Sequence, residues 1–255
     1  MVDPADCLFY HTIDVPGYGE FQGQWDLRDG LDEYVGGLDW RGKRVLEIGT
    51  ASGLLCFHME RRGAEVVAFD LSDSDSWDLV PYAEGDLEAF AQHRREAIRK
   101  MNNGYWLCHR AFGSTANVVY GSLYSVPGEI GPVDVSTFCS VLLHVRDPFL
   151  ALSSALRLTR QTVVVTDLLP ESTPERRDGA ALPTMEFVPD GSVGQPRDSW
   201  WLLTPAVVQR FLGVLGFGAP RVTYHQHSGI LGRRTFFTVV ADRTAGSVAE
   251  PAAVS

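Results

Sequence analysis

Apolar positions along the chain fall into short β-rich runs separated by stretches with helical spacing. Residues 45–48 form a compact apolar run, residues 54–62 begin a helix, and Ala64-Glu-Val-Val-Ala-Phe-Asp70 is a second strand that ends on an acid. Asn117-Val-Val-Tyr120, Val133-Asp-Val-Ser-Thr-Phe138 and Thr162-Val-Val-Val-Thr166 predict a third, a fourth and a buried fifth strand. A helix is expected over residues 148–158, where Asp147 before Pro148 suits an N-cap. Another is expected over residues 205–215, stopped by Gly216, and strands near Val222 and over residues 235–241 complete the series. Strands alternating with helices predict an α/β fold around a mostly parallel sheet.

The remaining segments are less regular. Residues 1–40 read as an arm rich in aromatics and glycine, with a helix start over residues 29–35, and residues 41–242 as the folded domain. Between Leu71 and Asn117 lies a long insertion. Within it Leu87, Phe90, Ala91, Ala97, Ile98 and Met101 have helical spacing over residues 86–100, and a separate helical piece is predicted over residues 105–112. Residues 167–204 carry much Pro, Gly and charge and read as a cap. Residues 243–255 read as a disordered tail.

Composition narrows the partners. The 255 residues are 45% hydrophobic and 21% charged, ordinary values for one globular domain. A formal net charge of -10 opposes binding to a polyanion, since nucleic-acid affinity rests on Lys and Arg neutralising phosphates. Arg94-Arg95 with Arg99-Lys100, and Arg233-Arg234, are the basic clusters, and the first reads as a solvated helix face. Cys7, Cys56, Cys108 and Cys139 have no metal-ligand spacing and look like reduced thiols. No metal is expected. With no signal peptide and no apolar run of membrane-spanning length, a cytoplasmic location is expected and a membrane partner is not.

Chemistry concentrates at the first strand-turn-helix. Gly49 and Gly53 supply a turn that backbone or ligand can approach closely, and Asp70 ends the next strand about twenty residues on, where Rossmann-like folds hold a ribose. The spacing Gly49-x-Ala51-x-Gly53 is not the dinucleotide fingerprint and favours a nucleoside without phosphates. The segment resembles motif I of the class I S-adenosylmethionine (SAM) methyltransferases, with Glu47 in the acidic place and Ala51 departing from a glycine.

Further landmarks extend that resemblance. Phe9-Tyr-His-Thr-Ile-Asp14, Trp25-Asp26, Arg41-Gly-Lys-Arg-Val-Leu-Glu-Ile-Gly49, Val141-Leu-Leu-His-Val-Arg-Asp-Pro148 and Trp200-Trp201 before Thr204-Pro205 resemble the tRNA wobble-uridine carboxymethyltransferase family and its small-molecule relatives. The resemblance implies a Rossmann-like sheet of seven strands with its last strand antiparallel. It implies SAM as cofactor: Glu47, Gly49, Ala51 and Gly53 at the methionine side, Asp70 at the ribose, Leu71 and Gly121-Ser122-Leu123 around the adenine, and Cys139 and Ser140 beside the sulfonium. Ser122 reads equally well as a turn residue. Trp25 and Arg28 are candidates to meet the donor, Arg28 through its carboxylate.

Methyl transfer needs alignment, exclusion of water and removal of a proton. Tyr10, Tyr18 and His144 are the candidate catalytic groups, His144 as base or as a structural histidine. His11, Glu186, Trp200 and Trp201 are candidates to grip the acceptor. An acidic chain with few basic clusters favours the small-molecule relatives, tailoring enzymes of bacterial secondary metabolism such as antibiotic biosynthesis. Asp167, Glu171 and Glu186 near the cap favour N-methylation slightly over O-methylation. A tRNA-modifying enzyme and a SAM-binding protein without turnover are the alternatives.

Overall fold

The strands predicted from apolar runs all form. The computed structural model describes residues 2–171 and 181–245. An arm opens the chain: β1 (Ile13–Val15) and β2 (Gly19–Phe21) pair as an antiparallel ribbon, followed by β3 (Trp25–Asp26) and one turn of helix, α1 (Leu31–Tyr34). Then come β4 (Arg44–Ile48), α2 (Leu54–Arg61), β5 (Glu65–Asp70), α3 (Leu87–Phe112) and β6 (Asn117–Tyr120). The second half holds β7 (Val133–Cys139), α4 (Pro148–Leu156), β8 (Thr159–Leu168), β9 (Met185–Phe187), β10 (Trp201–Leu203), α5 (Pro205–Val214), β11 (Phe217–Gly229) and β12 (Gly232–Arg243).

One sheet runs in the order β3-β11-β12-β8-β7-β4-β5-β6. β6, β5, β4, β7 and β8 are parallel, β12 runs against β8, and β11 runs against β12. These seven strands are the expected sheet with its last strand reversed. The arm adds an eighth, because Trp25 and Asp26 pair with Gly229 and Ser228 at the end of β11. The chain moves outward from β4 to β6 and then crosses back to β7. The carboxyl ends of β4 and β7 therefore flank the crevice in which open α/β sheets hold ligands.

Alternation along the strands builds two cores. Val45, Val66, Ala68 and Val164 face the arm, α2 and α3, whereas Leu46, Val67, Phe69, Val163 and Val165 face α4 and α5. Strands buried on both faces show as unbroken apolar runs, which is why they were legible. The helix starts follow their caps: Asp147 accepts from the Leu150 N–H at 2.9 Å with Pro148 behind it, and Thr204 precedes Pro205 in the same way.

Three expectations change. The insertion contains one helix of 26 residues, α3, where two pieces were expected. Asn102-Asn103-Gly104 reads as a break, but each residue makes a tertiary contact instead. Asn102 donates to the Leu71 carbonyl at 3.1 Å, Asn103 to the Asp6 carbonyl at 3.0 Å, and a Cβ on Gly104 would sit 2.8 Å from the Leu8 carbonyl oxygen. The cap is partly ordered by the β9–β10 ribbon. Finally, the expected tail begins inside β12, whose last residue is Arg243; residues 246–255 lie outside the described residues.

Candidate active site

The turn after β4 is built from left-handed backbone. Gly49 has φ +76°, donates its N–H to the Phe69 carbonyl at 2.8 Å, and has no room for a side chain: a Cβ there would lie 2.5 Å from Val141 Cγ2. Ala51 takes φ +50°, a conformation that L-residues adopt at a cost of about 1 kcal/mol. Its N–H donates to Asp70 Oδ2 at 2.7 Å, and the Leu71 N–H donates to Oδ1 at 2.7 Å. Burial pushes the Asp70 carboxyl up while these two N–H groups oppose it. The acid at the end of β5 thus stitches two loops together and keeps a free lone pair on each oxygen.

Around this acid lies a cavity of about 220 Å³. Of the residues singled out in the sequence, Tyr10, His11, Gly49, Ala51, Asp70 and Leu71 line one part of it. Gly121, Ser122, Leu123, Cys139, Ser140 and His144 line it too. Ser122 combines both of its readings, since its Oγ also accepts from the Tyr124 N–H at 3.3 Å and caps the following turn.

Other candidates stand elsewhere. Glu47 is buried beneath the turn, where Oε2 accepts from Thr50 Oγ1 at 2.7 Å; burial pushes its carboxyl up to about 7. Gly53 starts α2 with φ +87° against the Phe57 and Tyr105 rings. Tyr18 is 46% exposed on the turn between β1 and β2. Trp25 packs edge-on to Phe236, 5.1 Å between ring centres, under Gly229. Arg28 is drawn away by three carboxylates, Asp26 at 2.6 Å and Asp14 and Glu20 at 2.8 Å, which the β1–β2 ribbon brings together. Glu186 is exposed on β9. Trp201 donates to the Arg146 carbonyl at 3.1 Å, and Trp200 donates to the Asp78 carbonyl at 2.7 Å, so both brace the loops behind the cavity.

Histidines on the cavity wall are kept neutral. His144 is pushed down to about 4 by burial, and its Nδ1 donates to the Asp198 carbonyl. That bond fixes the tautomer and leaves Nε2 as an acceptor for the cavity. The imidazole stacks on Trp77, 5.7 Å between ring centres. His11 is pushed down to about 3, first by burial and then by His227, and its Nδ1 has no partner among the described residues. Tyr10 lies half-buried beside it, and desolvation raises its phenol.

Several lining residues were missed. Ser76, Trp77 and Asp78 come from the insertion after β5, and Tyr124 donates its hydroxyl to Asp78. The one signal in the sequence was a tryptophan in the otherwise polar run Asp73-Ser-Asp-Ser-Trp-Asp78. Ser140, expected with Cys139 from the sequence, lines the wall directly after β7 with φ +55°.

Comparisons with known proteins bear on the family and the fold. Ubiquinone biosynthesis O-methyltransferase of Acinetobacter baylyi is 32% identical over 71 residues, so the match spans only 28% of this chain and 29% of that protein. Among solved structures, the N-terminal domain of EvdMO1 with S-adenosylhomocysteine (SAH) and D-fucose aligns with a TM-score of 0.58 at 17% identity, covering 92% of this chain and 91% of that one. Magnesium protoporphyrin IX methyltransferase of Synechocystis, with bound SAM, aligns at 0.51 and 14% identity, covering 86% and 78%. At such identities the likeness is one of fold. Residues 22–208, most of the chain, match the methyltransferase domain, and the protein belongs to that family, whose methyl donor is SAM.

Proposed function

We propose that the protein transfers a methyl group from SAM to a small-molecule acceptor in this cavity. The observation that carries the reading is the Asp70 carboxylate, locked by the Ala51 and Leu71 N–H groups at the junction of the glycine turn and the cavity. These residues fit the donor: Asp70 offers free lone pairs to ribose hydroxyls, Leu71 and Leu123 offer apolar surface to adenine, and Gly49 and Ala51 leave the methionine side open. Bound SAM supplies a methyl carbon on a sulfonium, and the electron pair of the broken carbon–sulfur bond stays on sulfur. Tyr10, His11 and His144 then position the acceptor and exclude water, and His144 Nε2 takes the proton.

A secondary-metabolite pathway remains part of the proposal, supported by the small-molecule chemistry in the relatives' names. The 1,6-didemethyltoxoflavin-N1-methyltransferase of Burkholderia thailandensis, aligned at a TM-score of 0.50 and 12% identity, is a structural neighbour with such a name. For tRNA the α3 cluster offers little. Arg94, Arg95 and Arg99 are paired with Asp198, Glu88, Asp6 and Glu96, so the α3 cluster is largely self-neutralised. Ala51 gives no ground for lost turnover, since its N–H holds Asp70. The acidic cap was the basis for an amine acceptor, but Asp167, Glu171 and Glu186 do not line the cavity.

The test is calorimetric titration with SAM and SAH, followed by methyl release from labelled SAM with candidate acceptors and with total tRNA. SAM binding with turnover on small molecules is expected. A folded protein that binds neither nucleoside refutes the reading, and methylation confined to tRNA transfers it to the carboxymethyltransferase relatives.

A further inference from the structure

Tyr34 and Ser140 share a hydrogen bond of 2.7 Å, and its direction can be settled from burial. Tyr34 is 2% exposed, enclosed by the rings of His225, His227 and Phe236, and Ser140 Oγ is the only partner of its hydroxyl among the described residues. Were Ser140 the donor, the phenolic proton would be buried without an acceptor. Tyr34 is therefore the donor, and the proton of Ser140 is left for the cavity that Ser140 lines. The backbone is built to hold it there: Ser140 takes φ +55°, its N–H donating to the Thr166 carbonyl at 2.7 Å. Four residues on, His144 presents the opposite character, an Nε2 lone pair fixed by the Nδ1 bond to Asp198.

We infer that Ser140, oriented by Tyr34, selects a hydroxyl as the methyl acceptor. This rests on the methyltransferase reading above and names its substrate class. A hydroxyl oxygen has two lone pairs and one proton. One lone pair accepts from Ser140, the other attacks the methyl carbon, and the proton passes to His144 Nε2 as the new oxygen–carbon bond forms. A neutral amine has a single lone pair: accepting the Ser140 proton would withdraw it from the reaction, and turning an N–H to the remaining Ser140 lone pair would leave the Ser140 proton without an acceptor. An ammonium has none. The pair of a donor at Ser140 and an acceptor at His144 thus matches an alcohol or phenol and opposes the amine that the cap acids suggested. Tyr34 is a positioning residue that acts through Ser140.

Phenol and aniline, which differ only in the acceptor atom, test this. With SAH bound and the histidine side chains labelled with ¹⁵N, the His144 signals are followed as each probe is added. The expected result is an Nδ1–H tautomer whose Nε2 signal moves with phenol, and at least tenfold weaker binding of aniline. Ser140→Ala and Ser140→Gly should erase that preference while leaving SAH affinity unchanged, and Tyr34→Phe should reduce it. The glycine variant relieves the left-handed strain, so a folding defect confined to the alanine variant does not obscure the result. Equal binding of both probes, no response to phenol, or a preference that survives both Ser140 variants overturns the inference while SAH binding still supports the methyltransferase site. Loss of SAH binding in the parent protein refutes that site itself.

Discussion

Asp70 Oδ2 accepts the Ala51 N–H at 2.7 Å, so the acid at the end of β5 also sets the conformation of the turn after β4. On the proposed reading, donor binding and loop shape are therefore one property. In Asp70→Asn one acceptor oxygen becomes an N–H₂ group that faces a backbone N–H. SAM affinity should fall by about 2–4 kcal/mol, the scale of charged hydrogen bonds lost at a buried site. Calorimetric titration of the folded variant checks it, and parental affinity would remove Asp70 from the donor site.

The two small residues of the turn should respond in opposite ways. Gly49→Val drives a side chain into Val141, 2.5 Å from the Cβ position, at a positive φ that valine strongly disfavours. SAM binding should disappear. Ala51→Gly releases left-handed strain of about 1 kcal/mol and adds a similar unfolded-state entropy cost, so stability and SAM affinity should stay within about 0.5 kcal/mol of the parent. Thermal melts with and without SAM measure both, and equal behaviour of the two variants would place the donor outside this turn.

Gly104 joins the arm to α3. A methyl group there meets the Leu8 carbonyl at 2.8 Å, backbone that cannot swing aside as a side chain would. Gly104→Ala should improve intrinsic helix propensity by about 1 kcal/mol yet leave the protein less stable by about 1–2 kcal/mol, because the arm is pushed from its seat. Limited proteolysis should then cut the arm faster, with kcat falling as Tyr10 and His11 lose their places. An arm as protected as in the parent would show that the contact yields freely.

That glycine also marks where the sequence stopped being informative. Val163 to Val165 and Val66 to Phe69 announce themselves because burial on both faces demands continuous apolar residues. Asn102-Asn103-Gly104 looked like a helix break because local propensity says nothing of the arm lying against it. Asp70, Gly49 and Ala51 were legible as a strand-turn-helix followed by an acid, a local pattern. Arg28 was not, because Asp14 and Glu20 approach it only once β1 and β2 pair. Trp77 and the Tyr34–Ser140 bond were missed for the same reason: one sits in an aperiodic insertion, the other spans 106 residues.

Glu47 should make stability fall as pH rises. Its carboxyl titrates near 7 in the folded protein and near its ordinary value when unfolded, so between about pH 4.5 and 7 the folded state holds the extra proton. The stabilising contribution is complete below the unfolded value and lost through the folded one. Glu47→Gln removes the penalty of ionisation, of order 3 kcal/mol, because each tenfold change in proton affinity is worth about 1.4 kcal/mol. Melts at pH 5 and pH 8 should show the variant gaining several degrees only at the higher pH; a gain equal at both would mean that Glu47 does not titrate in this range.

His144, Tyr10 and Tyr18 should separate cleanly in turnover. His144 stays neutral down to about 4, so kcat/KM should be level from pH 8 to about 5 and fall as protonation removes the Nε2 lone pair. His144→Ala should lower kcat by about a hundredfold or more with little change in SAM affinity, since the imidazole's proposed role is on the acceptor's proton. Tyr10→Phe should also reduce kcat, from its place on the cavity wall. Tyr18 is 46% exposed and away from the cavity, so Tyr18→Phe should leave kcat as it is. Steady-state rates with labelled SAM decide all three. If His144→Ala and Tyr10→Phe both turn over like the parent, the proton leaves by another route and the acceptor sits away from the end of β7.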